Sequence, residues 1–186
     1  MPPSSPVVAT VKSLDHLVLT VSSLSRTLAF YSRLGMTHEV FTPPSTSTKP
    51  SAEIGARGSG SGKERHALVF GSQKINLHIA GKEFEPKAQN VTPGSADLCF
   101  VVEEDIMEVY KRLKSAAIAI PKEDPQDLNQ VRTNGQQEQG EQVNMDILKM
   151  DELDEDGNQK EIMDRTGARG KLTSLYLRDP DGNLIE

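Results

Sequence analysis

Two imidazoles and two carboxylates fall at positions that repeat along this sequence. His16 and Asp97 occupy the same place in two opening strands, and His78 and Glu186 the same place in two closing strands. Nitrogen and oxygen donors in this mixture suit a divalent ion such as Ni, Co, Mn, Fe or Zn, with water in the open positions. An ion of that kind binds two adjacent substrate oxygens and stabilises an enediolate as a Lewis acid. A carboxylate beside a polarised carbonyl can also move an α-proton, which makes Glu186 the candidate catalytic group. Taken singly, a His or an Asp is more often a surface or hydrogen-bonded core residue. Coincidence of position singles out these four. His38 and His66 have no such counterpart and read as structural.

The elements that must carry these side chains follow from the same repeat. Leu14-Asp15-His16-Leu17-Val18-Leu19-Thr20-Val21 has the aliphatic and β-branched content of a strand, and Ser95-Ala96-Asp97-Leu98-Cys99-Phe100-Val101-Val102 aligns with it without a gap. A helical pattern follows each: Leu24, Leu28, Tyr31 and Leu34 ended by Gly35, then Ile106, Val109, Leu113 and Ala117. Residues 71–78 align with residues 179–186 as a turn and a closing strand, so the turns before His78 and Glu186 have equal length. Residues 65–70 and 171–178 are the strands entering those turns, and residues 36–41 and 119–121 supply one more strand each. The expected fold is α+β: two βαβββ modules, residues 13–92 and 93–186, paired with pseudo-twofold symmetry as a curved sheet around a metal cavity.

Two stretches fall outside this repeat. Residues 43–63 are rich in Pro, Ser, Thr and Gly, and residues 126–164 are Gln-rich and then acidic. Both read as disordered insertions, because their composition buries too little apolar surface to offset chain entropy. A helix over residues 145–153 is the ordered alternative. Residues 152–157 faintly resemble a calcium loop, but Met163 stands where a bidentate Glu is needed. Residues 138–164 hold ten acidic and two basic side chains, a balance of −8 against −6 for the whole chain, so the remainder carries +2. That acidity reads as a solvated segment rather than a binding face. No basic stripe with interleaved aromatics appears, which argues against nucleic acid. The longest apolar runs are too short to span a bilayer, and residues 1–10 lack a secretory signal. Cys99 is the only cysteine. It excludes an internal disulfide, fits a reducing, cytoplasmic setting, and reads as a buried inert thiol.

Asp15-His16-Leu17-Val18-Leu19-Thr20-Val21, Phe30-Tyr31, Leu34-Gly35-Met36, Ile75-Asn76-Leu77-His78 and Arg178-Asp179-Pro180-Asp181-Gly182-Asn183-Leu184-Ile185-Glu186 together resemble the vicinal oxygen chelate superfamily. That group spans glyoxalases, fosfomycin resistance proteins and extradiol dioxygenases. Residues 81–88 and 93–99 are similar to its small glyoxalase domain-containing subgroup. The resemblance implies paired βαβββ modules and one metal site, with His16, His78 and Glu186 at matching positions. The chain departs from the better-known enzymes at Asp97, where they offer His, and from glyoxalase I at His78, where a carboxylate stands.

The resemblance implies a metal-dependent lyase or isomerase, of the lactoylglutathione lyase type, acting on a small substrate with vicinal oxygens. Two alternatives stay open: a module that binds or sequesters a small molecule without turnover, and an extradiol dioxygenase-like oxidoreductase. The site is complete either within one chain or across a homodimer.

Overall fold

A computed structural model describes residues 8–42, 64–115, 117–120 and 141–186. Its first half is one four-stranded sheet. Strand β1, His16–Val21, runs into helix α1, Leu24–Arg33, followed by β2, Thr37–Phe41, β3, Arg65–Phe70, and β4, Gln73–Ile79. The spatial order is β1-β4-β3-β2, with β1 parallel to β4 and the other pairs antiparallel. The first expected module is therefore present strand for strand. Each strand alternates, so Leu17, Leu19 and Val21 turn to one face and His16, Val18 and Thr20 to the other. The apolar face packs on α1, whose buried Leu24, Thr27, Phe30 and Tyr31 recur at helical spacing. Ser23 caps that helix by accepting from the Arg26 N–H, and Gly35, at φ +81°, ends it in a conformation glycine adopts without strain. The turn from β3 to β4 needs only Gly71 and Ser72, because Phe70 pairs directly with Gln73.

The second half is made of shorter pieces. Strand β5, Asp97–Leu98, precedes helix α2, Ile106–Ser115. Then follow β6, Ala117–Ile120, β7, Glu141–Asn144, β8, Met163–Gly167, β9, Gly170–Ser174, β10, Leu177–Arg178, and β11, Leu184–Ile185. They form a three-stranded sheet, β10-β11-β5, and two hairpin pairs, β6-β7 and β8-β9. The three-stranded sheet repeats the local order of the first half: opening strand parallel to closing strand, closing strand antiparallel to the one before it. Ala117, expected at the end of the second helix, begins β6 instead.

Among the described residues one hydrophobic cluster joins the halves. Leu19, Val21, Tyr31 and Leu68 from the first meet Leu113, Leu175, Leu177 and Ile185 from the second. Met145 and Ile147 belong to the same cluster, at 6% and 7% exposure. This corrects the reading of residues 126–164 as one disordered insertion; residues 126–140, like residues 43–63, lie outside the described residues. Residues 145–164 are not a helix either. The Leu148 N–H bonds the Tyr176 carbonyl at 2.8 Å, and Met150 and Glu152 pair with Lys160 around a tight turn at Asp154. Average polarity hid two apolar side chains spaced two apart, which is enough to dock an extended segment on a core.

Candidate functional site

Paired residues on neighbouring strands point to the same face, so the ladder fixes which side chains share the face opposite α1. One row across the first sheet is His16, Lys74, Val69 and Thr37. The next is Val18, Asn76, Ala67 and Glu39; in the third, Thr20 pairs with His78 and Arg65 with Phe41, and the His78 and Arg65 side chains both lie against Phe84. His16 and His78 therefore share the face but stand four residues apart along parallel strands, about 13 Å at the rise of a strand. That span is too long for one coordination sphere with bonds near 2 Å.

His16 begins β1, with 43% of its side chain exposed, and its Nδ1 lies 2.7 Å from the Asp15 carboxylate. This contact draws the Asp15 pKa down and leaves Nε2 of His16 as the outward atom. His78 is 6% exposed and its Nδ1 is buried without a hydrogen-bond partner. The Phe84 ring lies against it, 4.1 Å between centroids. Burial, then the charge of Arg65, push the His78 pKa down and favour the neutral ring.

In the second half Asp97 opens β5, exposed, and Glu186 directly follows β11, half-buried. The backbone of Glu186 pairs with that of Leu98 and Phe100, so the ladder continues past the two-residue strands. Cys99 is exposed, contrary to the buried reading, because it alternates onto the same face as exposed Asp97. Its thiol pKa is raised by partial desolvation and then by the neighbouring Glu186 carboxylate.

The two registers correct the repeat. In the first half His16 pairs with Lys74 and Leu17 with Ile75; in the second Asp97 pairs with Leu184 and Leu98 with Ile185. His16 thus corresponds to Asp97, and the counterpart of Glu186 is Asn76, two residues before His78. The alignment slipped because the turns are unequal: two residues, Gly71 and Ser72, against five, residues 179–183. Asn76 stands diagonally across from His16 as Glu186 does from Asp97, and its Oδ1 is a buried oxygen without a partner. Among the described residues, no three His, Cys, Asp or Glu side chains gather closely enough to hold an ion. The four residues read from the sequence are therefore not one cluster. The ladder sets Asp97 beside Glu186 and His16 beside Asn76, with His78 two residues farther along β4.

Sequence reasoning also took residues 179–183 only as a turn. Asp179 and Asn183 are buried at 5% and 0% exposure. The Asp179 carboxylate accepts from the Tyr31 hydroxyl at 3.0 Å, from the Asn183 side-chain amide at 2.8 Å, and from the backbone N–H of Asp181 and Asn183. Asn183 Oδ1 in turn accepts from the Ala96 N–H, and the Asp181 carboxylate from the Ser22 N–H. The turn thus clamps the far end of β1 and the entrance of β5, the latter next to Asp97. Burial, followed by the Asp179 charge, pushes the Tyr31 pKa far up. The sequence signal was available: two acids and an amide within five residues are more than a tight turn requires.

Comparison with known proteins matches the glyoxalase/bleomycin resistance protein/dioxygenase superfamily over residues 13–186. The chain is 39% identical over 176 residues to glyoxalase domain-containing protein RDO1 of Mycosarcoma maydis, covering 95% of this chain and 67% of that protein. It is 36% identical over 177 residues to virulence protein STM3117 of Salmonella typhimurium, covering 95% and 83%. Among solved structures it is similar to an integron cassette protein from the mobile metagenome of V. cholerae, with 36% identity, a TM-score of 0.58, and 96% and 95% of the two chains covered. The crystal structure of virulence protein STM3117 also matches, with 34% identity, a TM-score of 0.58, and 95% of each chain covered. By sequence along nearly its whole length and by fold, the chain belongs to the glyoxalase/bleomycin resistance protein/dioxygenase superfamily, the vicinal oxygen chelate group.

Proposed function

We propose that this chain is a metal-dependent lyase or isomerase acting on a small substrate with vicinal oxygens. The observation that carries the reading is the repeated register, which sets His16 beside Asn76 in one half and Asp97 beside Glu186 in the other, each pair on one face of its sheet. Their chemistry fits a divalent ion of the Ni, Co, Mn, Fe or Zn type: one imidazole with its outer nitrogen free, one unpartnered buried amide oxygen, and two carboxylates. Because no three His, Cys, Asp or Glu side chains meet among the described residues, His16 with Asn76 and Asp97 with Glu186 would hold the ion only once the two pairs close on it; when bound, it would supply a Lewis acid for two adjacent oxygens. Asp15 holds the His16 ring by its Nδ1 and so fixes which nitrogen faces outward. Glu186, half-buried, is the carboxylate we assign to accept an α-proton from substrate. His78 lies outside this set and belongs to the wall of the site.

Metal content of the purified chain tests the reading. His16→Ala and Glu186→Gln should each lower occupancy at least tenfold, whereas His78→Ala should retain the ion. Full occupancy in both of the first two variants would overturn the proposal. Turnover of hemithioacetals, catechols and epoxides by the loaded chain then separates a lyase or isomerase from a dioxygenase and from a binding module.

A further inference from the structure

The third row of the first sheet, Thr20, His78, Arg65 and Phe41, has no counterpart among the proposed metal ligands. Phe84, from the segment after β4, lies against it. The Arg65 guanidinium carbon stands 4.1 Å from the Phe84 ring centroid, the same distance as the His78 ring. Arg65 forms no ion pair with a described carboxylate. The nearby acid Glu83 is already engaged, by the Gly81 N–H at 3.0 Å and the Lys87 ammonium at 3.4 Å. Lys74, one row from Asn76, lies over the Phe41 ring and is likewise without an ion pair among the described residues. The acid on this face is Glu39, exposed on the edge strand β2. Beside Arg65, the 94% buried His78 presents an Nδ1 with no partner.

A guanidinium against an aromatic ring has its charge partly satisfied by the ring quadrupole, yet keeps N–H donors for a planar acceptor. A buried imidazole nitrogen without a partner is costly unless something supplies the missing bond. Both features point to a group that is absent from the protein itself: a compact oxyanion, lying in the face that also carries His16 and Asn76. We propose that Arg65, set against Phe84, with His78 beneath it, is a carboxylate-binding subsite, and that the substrate is a small organic acid bearing vicinal oxygens rather than a neutral dicarbonyl. The assignment of vicinal oxygens rests on the function proposed above; the carboxylate subsite does not depend on a metal. The planar fork of Arg65 gives two parallel bonds to a carboxylate, and Lys74 adds positive potential across the face.

Titration of the full chain, freed of metal with EDTA, is followed by NMR with three probes: oxalate, inorganic phosphate and butane-2,3-dione. Oxalate should saturate and shift the Arg65 Nε–H and His78 ring resonances. Arg65→Gln should weaken oxalate at least tenfold, Arg65→Lys should recover only part of the loss, and Lys111→Gln on exposed α2 should bind as the parent does. Phe84→Leu should weaken oxalate several-fold with Arg65 intact, and an unchanged amide spectrum elsewhere will show that each variant is folded. Equal oxalate binding by the Arg65→Gln chain would overturn the subsite. Phosphate or the neutral dione binding as tightly, with the same dependence on Arg65, would overturn the carboxylate assignment. Since no metal is present, loss of the metal site in His16→Ala with oxalate binding intact would remove the proposed function and leave the subsite standing.

Discussion

The two halves of this chain share a local order but are held together differently. In the first, strands of five to seven residues keep one continuous register, and alternate side chains supply an apolar face for α1. In the second, the sheet that carries Asp97 and Glu186 is built from strands of two residues. Such short ladders contribute little by themselves. What orders them is the residue 179–183 turn, whose buried carboxylate and amide reach β11, the entrance to β5, and Tyr31 of the first half. The comparison teaches that one module is a sheet with a core, and the other is a set of short strands fastened to that core by polar side chains.

Replacing Asp179 should separate the two most sharply. Asp179→Ala strands the Tyr31 hydroxyl, the Asn183 amide and two backbone donors. It should cost about 4 kcal/mol in denaturant unfolding. Amide exchange in the surviving fold should quicken at residues 96–100 and 177–186 far more than in β3 and β4. Uniform quickening in both halves would show that the clamp is no more than one interaction of the common core.

Leu68→Ala tests the opposite mode, since Leu68 is 1% exposed in the central strand of the first sheet. It should cost about 3 kcal/mol through lost transfer and a residual cavity. Exchange should then quicken across β2, β3 and β4. Tyr31→Phe removes one bond to the clamp and should cost about 1.5 kcal/mol near neutral pH. The sign of its pH dependence follows from the raised pKa. The folded chain holds the phenol proton more tightly than the unfolded chain does, so the contribution of Tyr31 is full below pH 10 and falls as pH rises above it. Tyr31→Phe should therefore lose less stability than the parent between neutral and strongly alkaline pH.

A smaller effect belongs to the first half alone. His38 Nε2 and His66 Nδ1 are 3.1 Å apart, joining β2 to β3. Burial, then the charge of His38, lower the His66 pKa against an opposing pull from Glu64, and burial lowers that of His38. Both contribute stability that is present above the unfolded value near 6.5 and is lost as pH falls through it. His66→Phe should flatten the stability profile between pH 7 and 5, as followed by thermal unfolding. An unchanged acid limb would show that other groups set it.

Much of the first module was legible because its strands are long enough to show their period and its helix carries its own stop at Gly35. The order of opening strand, helix and closing strand in the second module was legible from its alignment with the first, although its opening and closing strands are only two residues long. The four candidate ligands were named from position in a repeat, and position was the weak link. Equal turn lengths were assumed where the turns have two and five residues, so His78 was aligned with Glu186 where the strand register sets Asn76. Met145 and Ile147 were missed because composition over a window cannot show which two side chains reach a core.

By itself, the sequence determined the α+β class, the repeat, the helix and its cap, and the family to which the motifs belong. These depend on local periodicity, on backbone conformations reserved for glycine, and on short runs of residues read in order. Tertiary structure alone decided which residues share a face, that Asn76 rather than His78 answers Glu186, that Arg65 lies against Phe84, and that Asp179 clamps both halves. A one-residue change in register moves every side chain of a strand to the opposite face, and a two-residue change restores the face but moves each side chain by nearly 7 Å. Local sequence scarcely constrains that choice, whereas packing of both faces fixes it.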